Sequence, residues 1–110
     1  MKTRHLIAAA AALSLSATAF AADNGEALFK SNPSCVQCHA LDNKTKSLGP
    51  ALKDISAKYA GQKDAQAKLE KKVREGGKGS FGGMPMPATP KTTVGDADVK
   101  AIVAWILSLK

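Results

Sequence analysis

Cys35-Val36-Gln37-Cys38-His39 is the segment of this sequence best equipped for chemistry. Two thiols spaced by two residues and followed at once by an imidazole form the C-x-x-C-H pattern of c-type haem attachment. There the thiols add to the two vinyl groups and the histidine ligates the iron. The spacing has a geometric reason: one helical turn sets both sulfurs on one side of the porphyrin, and the next imidazole swings beneath the metal. A single disulfide is the ordinary reading of two cysteines in an exported chain, but this close spacing argues against it. Structural zinc wants two further cysteine or histidine ligands; the chain has Cys 2 and His 2 in all, and the other histidine, His5, lies near the N-terminus. A dithiol oxidoreductase wants a βαβ scaffold, and the patterning here is helical. One covalent haem c on Cys35 and Cys38, with His39 on its iron, is the expectation.

Six-coordinate iron needs a second axial ligand, and Gly82-Gly83-Met84-Pro85-Met86-Pro87 offers two thioethers. Methionine in a core is usually a gap-filler. In this stretch the prolines fix φ and bias their predecessors to extended backbone, so a thioether can be held without helix or strand. Met86 has proline on both sides and is favoured over Met84. No catalytic acid, base or nucleophile accompanies the pattern, since Asp42, Asp54, Asp64 and Asp96 read as loop, cap and surface residues.

The chain that must position these groups is short and basic: 110 residues, Lys+Arg 16 against Asp+Glu 9, formal net charge +7. That length excludes a large multidomain enzyme. Met1 to His5 is basic, Leu6 to Ala22 is uncharged, and Ala19-Phe20-Ala21 fits the small-x-small cleavage pattern. Residues 1–21 therefore read as a cleaved export signal and residues 22–110 as the mature domain. The apolar run is too short and too weakly apolar for an anchor, which needs about 20 strongly apolar residues. Phe29, Tyr59, Phe81 and Trp105 are few large aromatics for the mature core, so a cofactor is expected to fill its middle.

Helical patterning covers most of the mature chain. Asn24 to Ser31 reads as a short helix capped by Asp23 or Asn24 and stopped by Asn32-Pro33. Cys35 to His39 can make one or two turns, and Gly49-Pro50 makes a bend. Leu52, Ile55 and Tyr59 share one face of a helix over Ala51 to Tyr59, and Ala65, Leu69 and Val73 share one over Asp64 to Glu75. Gly76 to Pro90, rich in glycine and proline, reads as a long irregular loop of functional kind. The last helix starts at Gly95 or Asp96 and runs to Lys110 with Val99, Ile102, Val103, Ile106 and Leu107 on its stripe. Val94 and Val99 can form a hydrophobic staple if Gly95 is the cap. The fold class is all-α in a single domain.

Cys35-Val36-Gln37-Cys38-His39, Gly49-Pro50, Pro85-Met86-Pro87 and the helix bearing Trp105 together resemble the short bacterial class I cytochromes c, in order and over essentially the whole mature chain. The resemblance implies short helices wrapped around one haem, with His39 as the proximal ligand and Met86 as the distal one. It also implies that the Pro50 carbonyl accepts the proton on the other nitrogen of His39. The first and last helices of such proteins cross near their ends, which sets Gly25 and Phe29 against the helix of Trp105. An indole often donates to a haem propionate near the distal loop; Phe81 stands at that place without a donor, and Lys72 or Lys78 can substitute.

The function so implied is one-electron carriage in the periplasm. Donors would be of the quinol-oxidising cytochrome complex kind, and acceptors a terminal oxidase, a haem nitrite reductase or a haem peroxidase. His/Met ligation closes both axial positions, which suits outer-sphere transfer. A small haem peroxidase or gas-binding cytochrome would need an open distal site with a polar residue, and a thiol or zinc module would carry no haem. Lysines interrupted by acids, in an exported chain, argue against nucleic acid. The expected species is a monomer without stable membrane insertion. Its docking face would be the exposed thioether edge, ringed by Val36, Leu48, Met84 and Pro87, with Lys30, Lys44, Lys46, Lys78 and Lys91 as a positive rim.

Overall fold

The computed structural model describes residues 18–45, 47–81 and 84–110, with side chains from Asn24 onward. Most of the expected export signal (1–17) and Lys46 of the expected rim lie outside the described residues. Five helices follow in order: α1 (Thr18–Lys30), α2 (Pro33–Val36), α3 (Leu52–Tyr59), α4 (Ala65–Glu75) and α5 (Asp96–Ser108). Among the described residues there is no strand, only one isolated bridge between Gly77 and Met86.

The first helix begins earlier than the sequence reading placed it. Ala19, Ala21 and Ala22 are strong helix formers with no glycine or proline among them, so helix continues through Asp23 and Asn24, and neither acts as its cap. The expected cleavage before Ala22 would remove the first turn of α1. Asn32-Pro33 stops the helix and starts the next. Asn32 is extended, its side chain accepts from the Ser34 amide at 3.1 Å, and Pro33 occupies the first helical position, where its missing N–H is no loss.

α5 is the element on which α1, α3 and α4 pack, while α2 packs on α1. Gly95 is its cap, Asp96 and Asp98 sit at the positive end of its dipole, and Val94 and Val99 are both buried in the core, as a staple requires. Leu52 and Val103 are the most deeply buried side chains, at 1% exposure each. α1 lies against α5 so closely that a Cβ at Gly25 would stand 2.2 Å from the Ala101 carbonyl oxygen and 2.6 Å from Trp105 Cβ. One turn further along, the Phe29 and Trp105 rings meet at 5.4 Å with 42° between their planes. α3 is tied to the C-terminus by the buried Ser56 hydroxyl, which donates to the Leu109 carbonyl at 2.7 Å.

The glycine-rich loop is better ordered than its composition suggests. Gly77 and Met86 exchange backbone hydrogen bonds, Gly77 N–H to Met86 O at 3.0 Å and Met86 N–H to Gly77 O at 2.8 Å. Gly76 permits this crossing: its φ is 68°, and a Cβ there would stand 2.3 Å from the Met86 carbonyl oxygen. Past Met86 the chain is held by the Thr89 amide on the Val73 carbonyl at 3.0 Å and by Arg74, whose guanidinium donates to the Thr89 carbonyl at 3.0 Å and to Asp96 at 2.8 Å.

Candidate functional site

The helical turn of α2 is carried past its end by amide bonds from Cys38 and His39 to the Cys35 carbonyl, at 3.2 and 3.0 Å. The two cysteines are not paired with each other, and both are half-buried. Burial pushes the Cys35 thiol above its ordinary range, and the neighbouring Cys38 pushes it the same way. Cys35 packs against the edge of the hydrophobic core, whereas Cys38 lines an open cleft. The thiol pair thus spans from the core to the rim of that cleft.

His39 lines the cleft as well, and its Nδ1 lies 2.8 Å from the Pro50 carbonyl oxygen. A carbonyl can only accept, so Nδ1 is the donor here, and in the neutral ring that leaves the lone pair on Nε2, the form a metal-bound imidazole needs. Gly49 explains how the ring and the Pro50 carbonyl come so close. A Cβ at that position would stand 2.7 Å from His39 Cε1, and the Gly49 amide donates to the Cys38 carbonyl at 2.6 Å. Ser47 donates its hydroxyl to the same carbonyl at 2.6 Å. Amides of Leu52 and Lys53 then bond to Ala40 and Leu41 at 2.9 and 3.0 Å, fixing the start of α3 beside the histidine. Gly49 was visible in the sequence only as half of a turn; that its hydrogen faces an imidazole required the fold.

The cleft measures about 310 Å³, within the usual size of small-molecule sites. It brings Cys38, His39 and Pro50 together with Met84 and Met86 from the glycine-rich loop, with Lys72 and Lys78 also on its lining. Ile55, Tyr59 and Leu69, which the sequence placed on core-facing helical stripes, form part of its wall. The methionines differ: Met86 is half-buried and backbone-bridged to Gly77, while Met84 is 65% exposed. Phe81 is on the lining and 41% exposed. Lys58, which the sequence did not single out, donates to the Ser80 carbonyl beside it.

These residues fit a haem. An apolar cleft joins a free imidazole lone pair, a thioether and an unpaired thiol, with two ammonium groups available for propionates. Among the described residues no group of three or more His, Cys, Asp or Glu could hold a bare metal ion. The cleft lining is mostly apolar, with Leu48, Ile55, Leu69 and Phe81 among its residues, which suits an apolar plane more than a polar ligand.

Beside the cleft lies a shallower groove lined by Val36, Gln37, Ala40, Thr45 and Ser47, and it shares His39 and Leu48 with the cleft. Val36 is 42% and Leu48 63% exposed, and Pro87 is exposed too. Of the lysines expected to ring this face, Lys30 is paired with Glu26 at 2.6 Å and Lys91 with Asp96 at 3.2 Å. Lys44 and Lys78 form no ion pair among the described residues.

Residues 22–110 match the cytochrome c family. The chain is 41% identical over its whole length to the whole of cytochrome c-551 of Pseudomonas aeruginosa. It is 50% identical to cytochrome c-552 of Nitrosomonas europaea over 69% of this chain and 70% of that one. The crystal structure of wild-type Nitrosomonas europaea cytochrome c552 superposes with a TM-score of 0.65 at 48% identity, covering 77% of this chain and 99% of the other. The class 1 cytochrome MtoD of Sideroxydans lithotrophicus superposes at 0.61 with 32% identity, covering 78% of this chain and 92% of that one. With the C-x-x-C-H turn, the cleft and the all-helical frame alike, the chain belongs to the cytochrome c family, as a monohaem class I electron carrier of the c-551/c-552 type that holds one covalent haem c.

Proposed function

We propose that this chain carries single electrons between redox proteins of the periplasm, with its iron held by His39 and Met86. The observation that carries the axial assignment is the contrast between the methionines: Met86 is half-buried and bridged to Gly77, and Met84 is 65% exposed. Bound haem supplies one Fe(III)/Fe(II) couple, and closure of both axial positions by protein suits outer-sphere transfer. The chain's own residues do the rest. Pro50 accepts the Nδ1 proton and so fixes the tautomer and the plane of the His39 ring. Cys35, at the core edge, and Cys38, on the cleft lining, would hold the macrocycle, and Lys72 and Lys78 would be placed to neutralise its propionates. Ile55, Tyr59 and Leu69 keep water from the metal. The leader ends before Ala22 and exports the domain. Among the described residues no helix is long and apolar enough to cross a membrane.

The donor is of the quinol-oxidising cytochrome kind and the acceptor a terminal oxidase, haem nitrite reductase or haem peroxidase, met at the face of Val36, Leu48, Met84 and Pro87. Substitution of the two methionines tests the assignment. Met86→Ala should lower the reduction potential and admit carbon monoxide to the reduced protein, while Met84→Leu should leave both unchanged, since it exchanges one apolar group for another. The reverse pattern would move the ligand by two residues.

A further inference from the structure

Beyond α4 the chain passes Gly76, Gly77 and Gly79, with φ of 68°, 130° and 95°, before reaching Ser80 and Phe81 on the lining of the cleft. Glycines at positive φ leave the backbone many conformations to lose, so a wall built on them needs holding from outside. Gly77 has its bridge to Met86. Residues 78–81 make no backbone-to-backbone hydrogen bond with any other described residue, and Phe81, at 41% exposure, is only weakly held by burial.

The hold comes from the last turn of α3. Lys58 donates to the Ser80 carbonyl, and its Nζ lies 4.3 Å from the centroid of the Phe81 ring. One ammonium therefore meets two consecutive loop residues, through a carbonyl oxygen and through a ring face, both of which attract a cation. A solvated surface lysine would extend its charge into water. Lys58 is itself exposed, yet it forms no ion pair among the described residues and its ammonium is folded onto the loop.

We propose that Lys58 is a positioning residue that clamps Ser80 and Phe81 to α3 and keeps this wall of the cleft closed. The consequence for the metal rests on the reading of Met86 as its ligand: Gly77 and Met86 are bridged, so release of the wall loosens the segment of the methionine with it.

The test uses the oxidised holoprotein, with Lys58→Met, Lys58→Arg and the wild type compared by amide hydrogen exchange and by the rate of imidazole binding at the iron. In Lys58→Met, exchange at the hydrogen-bonded Gly77 and Met86 amides next to this wall and imidazole entry should each become about tenfold faster, while α5 amides keep their rates. Tenfold corresponds to about 1.4 kcal/mol. Lys58→Arg should restore both rates, because a guanidinium also donates and stacks on a ring. In a Phe81→Leu background the Lys58→Met effect should shrink. Unchanged exchange at Gly77 and Met86, an equal change across α5, or no rescue by arginine would overturn the clamp. If the wild type takes up imidazole without displacing a thioether, the Met86 assignment falls, and exchange at the Gly77 and Met86 amides alone decides the clamp.

Discussion

At the scale of single residues, contact between His39 and its surroundings is tight enough that one added methyl should be felt. Gly49→Ala would put a carbon 2.7 Å from the imidazole and 2.9 Å from the Cys38 carbonyl, both anchored groups that cannot simply move aside. Overpacking of that kind costs about 1–3 kcal/mol, so the urea midpoint of the holoprotein should fall accordingly. A wild-type midpoint would mean that the turn yields freely. The residues proposed to carry the chemistry could be named from sequence because that chemistry constrains spacing: a C-x-x-C-H run and a methionine between prolines stand out in the chain. Gly49, Gly77 and Lys58 were not, because a glycine's close approach or a lysine's resting place depends on which distant segment arrives beside it.

At the scale of elements, helix periodicity located α3, α4 and α5 to within a residue or two of their observed ends, since Leu52, Ile55, Leu69, Val103 and their neighbours must share a face to be buried. The start of α1 was misplaced because a cap-forming pair, Asp23-Asn24, was weighed above an alanine-rich run that simply continues the helix. The α1–α5 crossing depends on Gly25, and Gly25→Val should separate the helices and destabilise the protein by about 1–3 kcal/mol or more; chemical denaturation reads this directly. The loop after Met86 is joined to α5 through Asp96. Its carboxyl is held below the ordinary carboxylate range by a hydrogen bond from Lys91 and another from Arg74. A carboxyl whose pKa is lower folded than unfolded adds stability above its unfolded value, about 3.9, and loses it as pH falls through the lower folded value. Asp96→Asn should therefore lower the urea midpoint at neutral pH, with the difference from wild type closing at the acid end. Because the carboxylate is exposed, added salt should shrink the effect. Parallel pH profiles would contradict the pairing.

At the scale of the whole molecule, a basic surface around an exposed apolar face separates the speed of encounter from the quality of contact. Lys44 is exposed and unpaired among the described residues, so Lys44→Glu should slow bimolecular electron transfer to an acidic partner a few-fold at low ionic strength. The effect should fade where screening shortens to about 8 Å, at 0.15 M salt. Val36→Asp places a charge in the apolar face and should slow transfer at every salt concentration. Rates indifferent to both would place the electron's exit on another face. All of this presumes a low-spin iron closed by His39 and Met86, and the visible spectrum of the oxidised holoprotein tests that most directly. A weak far-red band from sulfur to iron, present in the wild type and in Met84→Leu and lost in Met86→Ala, is the predicted result; a wild type without that band, or a band that survives loss of Met86, would contradict the account.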